Sequence, residues 1–209
     1  AIQNLIEIEK NEKITAFVSV KEFTPDKFLI MATQNGTIKK TNLSAYGNVR
    51  KGGIIAINLV ENDNLIEVKL SDGSHDVVIG TKDGIAIRFN EADVREMGRT
   101  ATGVRGIKLS KGNIVVSMLV VKSPTTLLAA TDKGYGKRSD ISDYRITRRG
   151  GKGIITIKTG EKTGNLIAMK EVNDNDELVI ITSGGMVIRQ GIKELRVMGR
   201  NTQGVRLIR

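Results

Sequence analysis

A unit of about fifty residues recurs along this 209-residue chain, and a chain of that kind must bury its core between neighbouring units rather than inside each one. Four segments share one layout: an apolar strand, a turn glycine, a second strand ending in a base, a spacer, then a second glycine. They read FLIMATQNGTIKK from Phe28, VVIGTKDGIAIR from Val77, LLAATDKGYGKR from Leu127 and LVIITSGGMVIR from Leu178. The turn glycines Gly36, Gly84, Gly134 and Gly185 stand 48, 50 and 51 residues apart. Asn35-Gly36 and Asp83-Gly84 predict two-residue hairpin turns, because such turns need positive φ.

The second glycines are Gly53, Gly103, Gly153 and Gly204, each followed four residues later by Ile57, Ile107, Ile157 or Ile208. Each is expected to open another short strand. Further strands are expected over LIEVKL from Leu65, IVVSMLV from Ile114 and LIAMKEV from Leu166, with ITAFVSV from Ile14 as their counterpart near the start. Short runs rich in Ile and Val are β rather than helical composition. Four strands per repeat predict an all-β fold, a propeller-like ring or arc of four-stranded blades. The chain reads as one blade-repeat domain over 1–209: a half-repeat at 1–26, repeats at 27–75, 76–125 and 126–176, and a half-repeat at 177–209. Only Glu91 to Met97 and Ile192 to Met198 leave room for a helical turn.

Charge narrows the partner. Lysine and arginine outnumber acids by 33 to 23, and the pI is near 9.8, which suits a polyanion. With four Phe, three Tyr and no Trp, the chain lacks the stacking platforms of single-strand and RRM-type binders. A duplex held by its backbone fits better. The bases recur in register. Lys40, Arg88, Arg138 and Arg189 each follow a turn glycine by four residues. Arg99, Arg149 and Arg200 each precede a second glycine by four, and Arg50 and Lys51 supply the charge of the first spacer. Arg105, Lys137, Arg148 and Lys152 extend the set. Once units stack, equivalent positions line one surface, so these bases are expected to lie exposed on one side and to neutralise phosphates without base readout.

Other chemistries find little support. Cysteine is absent, which fits a reducing compartment and removes thiolate ligands. His75, the one histidine, lies in SDGSH, a turn composition, and is expected to be a solvated loop residue. No metal site is expected. Gly150-Gly151-Lys152-Gly153 and Gly134-Tyr135-Gly136-Lys137-Arg138 fall short of both phosphate-loop patterns, and both sit in the repeat framework. No apolar run reaches the ~18 residues of a membrane span, and Ala1 to Lys10 lacks the basic start of a signal peptide.

Three stretches carry a resemblance: MGRTATGVRGIKL (97–109), MGRNTQGVRLIR (198–209) and GYGKRSDISDY (134–144). They resemble the carboxy-terminal domain family of DNA gyrase A, and the repeat spacing extends the likeness over the whole chain. The resemblance implies a β-pinwheel whose blades exchange strands and whose basic rim wraps duplex DNA, within an ATP-dependent type II topoisomerase that introduces negative supercoils. It implies no catalytic site and no cofactor in this chain, none of Tyr46, Tyr135 and Tyr144 being the catalytic tyrosine. ATP and Mg²⁺ would act elsewhere in the holoenzyme. Its implied partners are double-stranded DNA, the breakage–reunion domain of gyrase A, and gyrase B, in the bacterial cytoplasm. Thr147-Arg148-Arg149-Gly150-Gly151-Lys152-Gly153 matches six of seven positions of the family's box, Gln-basic-Arg-Gly-Gly-basic-Gly, which normally sits in the first of six blades. The related domain of topoisomerase IV, presenting DNA for decatenation, is the alternative. A propeller-like protein-interaction scaffold is the alternative of another class.

Overall fold

A computed structural model describes residues 12–50, 52–122 and 124–208. Its elements are strands joined by single turns of 3-10 helix, and the strands fall into four antiparallel sheets. The first holds β1 (Phe28–Thr33), β2 (Thr37–Asn42), β3 (Leu65–Ser71) and β6 (Val104–Arg105). The second holds β4 (Asp76–Thr81), β5 (Ile85–Asn90), β7 (Val115–Val121) and β10 (Ile154–Ile155). In the third are β8 (Thr126–Thr131), β9 (Tyr135–Asp140), β11 (Leu166–Val172) and β14 (Val205–Arg206). The fourth pairs β12 (Glu177–Ile181) with β13 (Val187–Gly191).

The strand orders β3-β1-β2-β6, β7-β4-β5-β10 and β11-β8-β9-β14 show how the blades are tied. Each four-stranded sheet takes its last strand from the following repeat. Val104 pairs with Ile38 of the unit before it, Ile154 with Ala86 and Val205 with Gly136. The second glycines make this donation possible. Gly103, Gly153 and Gly204 all have positive φ, and a Cβ on Gly153 would lie 2.6 Å from the Ala86 carbonyl oxygen. The donated strands are only two residues long, shorter than the sequence led one to expect.

The cores lie between sheets. Alternate residues of β4 point to opposite faces. Val77 and Ile79 pack with Ile30, Ala32 and Ile38 of the first sheet, while Val78 packs with Leu127 and Ala129 of the third. A smaller third cluster joins Leu128, Val172, Ile192, Leu195 and Leu207. Both faces of each inner sheet are thus buried. That is why these strands read as continuous apolar runs rather than as alternation.

Three further expectations change. No strand opens after Gly53 among the described residues, and residues 54–60 are irregular. The hairpin tips are three-residue loops, 34–36 and its equivalents, not two-residue turns. Gly36, Gly84, Gly134 and Gly185 have φ between +74° and +86°, but Asn35 and Asp83 do not share positive φ. Each glycine N–H donates to the threonine three residues back, Thr33, Thr81, Thr131 or Thr182. This is a turn closed by one left-handed glycine. Residues 14–20 form no strand, because they meet no partner strand among the described residues; Ile14 and Phe17 stay exposed.

Candidate nucleic-acid interface

Three of the four strand-end bases are not on the surface. Lys40, Arg88 and Arg138 keep 7%, 8% and 6% of their exposure, which corrects the expectation of an exposed row. The reason is their seat near the ends of β2, β5 and β9, each a central strand facing the next repeat. Arg88 donates to Asp76 Oδ2 and, through Nη1, to the carbonyls of Ile141 (2.8 Å) and Tyr144 (3.2 Å). Arg138 donates to Thr126 Oγ1 at 2.7 Å and pairs with Asp174 Oδ1 at 2.5 Å. Arg189 has the same arrangement in the open: it pairs with Glu177 and is exposed.

Lys40 lies 4.4 Å over the Phe28 ring, and its Nζ is 3.1 Å from Glu91 Oε2 of the next unit, an ion pair without hydrogen-bond geometry. Glu91 is fully buried where the other units place Leu43, Ile141 and Ile192. It also accepts from Ser71 Oγ and from the His75 amide at 2.7 Å. His75 is therefore buried, not solvated: its Nδ1 lies 2.9 Å from Asp72 Oδ1 and 3.1 Å from Ser71 Oγ. Asp72, His75 and Glu91 offer ligand atoms within 4.8 Å of one another, the donor types of a metal site. Lys40 already supplies the counter-charge of Glu91, so no uncompensated charge there calls for a cation.

Lys137 is 1% exposed and donates to the Gly199 carbonyl at 2.7 Å. Lys39, its equivalent in the first unit, donates to the carbonyls of Ala56 (2.7 Å) and Arg99. Burial holds both ammonium groups down to about 8, with help from the Arg99 charge at Lys39 and the Arg200 charge at Lys137; Asp143 opposes it at Lys137. Both ammonium groups are buried and held by carbonyls of the next spacer, Arg99 O and Gly199 O, which corrects the expectation that Lys137 lies exposed.

The spacers carry exposed bases in register. Arg99, Arg149 and Arg200 are half-buried and bind backward to the preceding unit. Arg99 reaches the Ile55 carbonyl (2.7 Å), Arg149 those of Asp93 (2.9 Å) and Arg105 (3.0 Å), Arg200 those of Asp143 and Ile155 (both 3.1 Å). They set each spacer against the unit before it. Arg50, Arg105, Arg148 and Lys152 are exposed, and their side chains have no polar partner among the described residues. Lys51 lies outside the described residues. The box-like loop is anchored by its backbone: the Thr147 N–H donates to Arg88 O at 2.9 Å, Gly150 N–H to Gly106 O at 2.6 Å, and Gly151 O accepts from Lys108 at 2.8 Å. Gly150 and Gly153 have φ of +80° and +78°. Arg145, Arg148 and Lys152 line one shallow recess of this loop.

Sequence reasoning missed a row. Arg95, Arg145 and Arg196 occupy one place in three successive spacers, all exposed and unpaired among the described residues. Counting bases back from the second glycine selects the half-buried Arg99, Arg149 and Arg200 instead. The signal was the recurrence of Arg four residues earlier.

A family model for the DNA gyrase C-terminal domain, beta-propeller, matches residues 27–72, 75–122, 125–173 and 176–209. The chain belongs to this DNA gyrase C-terminal domain family. Its similarity to the DNA gyrase A protein of Escherichia coli K12 is 43% identity over 208 residues, all of this chain and 24% of that protein. The DNA gyrase A protein of Ureaplasma parvum is 45% identical over 205 residues, covering 98% of this chain and 24% of that protein. The chain thus spans about a quarter of the length of these relatives. Among solved structures, a DNA gyrase A C-terminal domain superposes with a TM-score of 0.89 at 28% identity, covering 99% of this chain and 70% of that one. A topoisomerase IV C-terminal domain gives 0.91 at 25%, covering 99% and 65%. Blade architecture and strand exchange in the gyrase-family domain are those expected of a pinwheel. No helix among the described residues is long and apolar enough to cross a membrane.

Proposed function

We propose that this gyrase-family domain holds and bends duplex DNA along its spacers, by phosphate contacts and with little sequence preference. The observation that carries the reading is the recurrence of free bases at one place in three consecutive spacers, Arg95, Arg145 and Arg196, with Arg148 and Lys152 lining a recess with Arg145. The backward staples of Arg99, Arg149 and Arg200 fix each spacer against the unit before it, so the charge sits on a pre-organised frame. Family membership supports the same reading, and sequence identity favours gyrase over topoisomerase IV. In the whole protein, the domain would serve the breakage–reunion domain of gyrase A, together with gyrase B, in an A2B2 assembly in the cytoplasm. ATP and Mg²⁺ would be used outside this chain.

A salt titration of a labelled 40-mer duplex tests the reading. If about 6–10 phosphates are neutralised, affinity falls roughly 10³–10⁵-fold between 50 and 200 mM salt. A scaffold reading, which the burial of Lys40, Arg88 and Arg138 favours, predicts salt-insensitive binding or none at 50 mM.

A further inference from the structure

Two aliphatic side chains sit where the DNA reading expects only charge. Ile146 is 59% exposed and Val197 46% exposed, and they occupy the same place in successive spacers. Each directly follows a free arginine, Arg145 or Arg196. Neither is loose. Ile146 bridges Arg88 and Val197 bridges Arg138 in parallel, and the next residues, Thr147 and Met198, donate their N–H groups to Arg88 O (2.9 Å) and Arg138 O (2.8 Å). A β-branched side chain is stiff at χ1, so each is a rigid apolar tip on a fixed backbone beside a cation. Exposed in the free domain, neither contributes to the cores.

We propose that Ile146 and Val197 are apolar wedges that press into the minor groove of bent duplex DNA. The proposal rests on the DNA-binding reading above and adds a contact class to it. Arginine is drawn to the minor groove by its negative potential, and an adjacent aliphatic tip placed there unstacks a base step and kinks the duplex. Flexible pyrimidine–purine steps, TpA above all, kink most easily, so the wedges give the domain a preference that phosphate contacts alone lack. The second spacer supplies an internal contrast. Glu96 stands at the equivalent place, also exposed, where its charge repels phosphates.

The test uses the whole chain with two labelled 40-mer duplexes, one carrying phased TpA steps and one without them, reading affinity, salt slope and bend by energy transfer. Ile146→Thr with Val197→Thr keeps β-branching and removes apolar reach. It lowers affinity for the TpA duplex about three- to tenfold, reduces the bend, abolishes the TpA preference, and leaves the salt slope unchanged because every neutralised phosphate keeps its cation. Glu96→Ile is the gain-of-function arm, with Glu96→Gln as the charge control: Glu96→Ile binds and bends the TpA duplex more strongly than Glu96→Gln. A threonine pair that bends and discriminates like wild type, with Glu96→Ile no better than Glu96→Gln, overturns the wedges while leaving phosphate binding intact. Wild-type chain that fails to bind either duplex at 50 mM salt sinks the DNA reading itself.

Discussion

Arg88 and Asp76 meet diagonally across the β4–β5 hairpin, with Nε and Nη2 of the guanidinium 2.9 and 2.6 Å from one carboxylate oxygen. The pair is nearly buried, and the remaining guanidinium nitrogen carries the bond on to the Ile141 and Tyr144 carbonyls of the next repeat. The same twelve-residue offset joins Arg189 to Glu177, Arg138 to Thr126 and Lys40 to the Phe28 ring. Each repeat is thus riveted by a base that first satisfies its own hairpin; in the first two repeats the base then reaches the next unit as well.

Removing one half of that rivet leaves a buried charge alone. Asp76→Ala is expected to cost about 3–5 kcal/mol in urea unfolding, well beyond Glu177→Ala, whose partner Arg189 is exposed. The comparison is made on the denaturation midpoint of the two variants in the same buffer.

Lys40 and Glu91 form the second test of this logic. Glu91 occupies a place where the other units use Leu43, Ile141 and Ile192, so the surroundings accept an aliphatic side chain. Glu91→Ile alone strands the Lys40 ammonium and destabilises. Lys40→Met with Glu91→Ile is expected to recover most of the loss, giving a coupling of about 1–3 kcal/mol in a double-mutant cycle. Additive losses would show that the pair is not an energetic unit.

Stability should depend on pH through the buried lysines. Lys39 and Lys137 are lowered to about 8 in the folded chain from 10.5. Between those values the unfolded chain binds more protons, so stability rises with pH from about 8 upward. Tyr46 and Tyr144 have the opposite sign: burial raises them above their ordinary value of 10.0, so their contribution is present below 10 and lost above it. The expected profile climbs between pH 8 and 10 and levels or turns down beyond. Lys137→Ile, the residue type that Ile87 and Ile188 place at the equivalent position, should flatten the climb. A denaturation midpoint measured at half-unit steps of pH checks the shape.

The second glycines are not equivalent in consequence. At Gly153 an added Cβ would meet the Ala86 carbonyl at 2.6 Å on top of a φ of +78°, and this glycine delivers β10 to the second sheet. Gly53 has a similar φ but open space around it. Gly53→Ala should cost about 1–2 kcal/mol, the left-handed backbone term alone. Gly153→Ala should cost clearly more, read as a lower unfolding midpoint.

Much of this architecture was legible because repetition exposes it. Four turn glycines in register announced four hairpins, and the fifty-residue repeat announced cores buried between neighbouring units. The donated strands were harder, because two residues of pairing leave no periodicity; strand exchange came from the resemblance, not from Val104 or Ile154. The site was harder still. A base at the end of an apolar strand looks solvated in sequence, and only folding brings Asp76, Glu91 and Asp174 to Arg88, Lys40 and Arg138. His75 misleads for the same reason: its turn composition is real, but Ser71 and Glu91 close over it. Arg95, Arg145 and Arg196 recur in register too, but nothing in the sequence separates these exposed bases from the half-buried ones nearer the glycine.

That distinction between rivets and free bases gives a final test. Arg148→Gln with Lys152→Gln removes two exposed cations that hold nothing in the fold. It should shift the slope of log affinity against log salt by about 1.8, near 0.9 for each phosphate no longer neutralised, with the unfolding midpoint unchanged. Lys40→Met should do the reverse: it strands buried Glu91, lowers the midpoint, and leaves the salt slope of the folded chain where it was. The two variants are compared in one titration of the 40-mer duplex at a temperature where both are folded. Equal slopes in wild type and the Arg148, Lys152 variant would show that DNA does not touch the box-like loop. A slope that moves with Lys40→Met would show that the buried rivets, and not the spacers, face the phosphates.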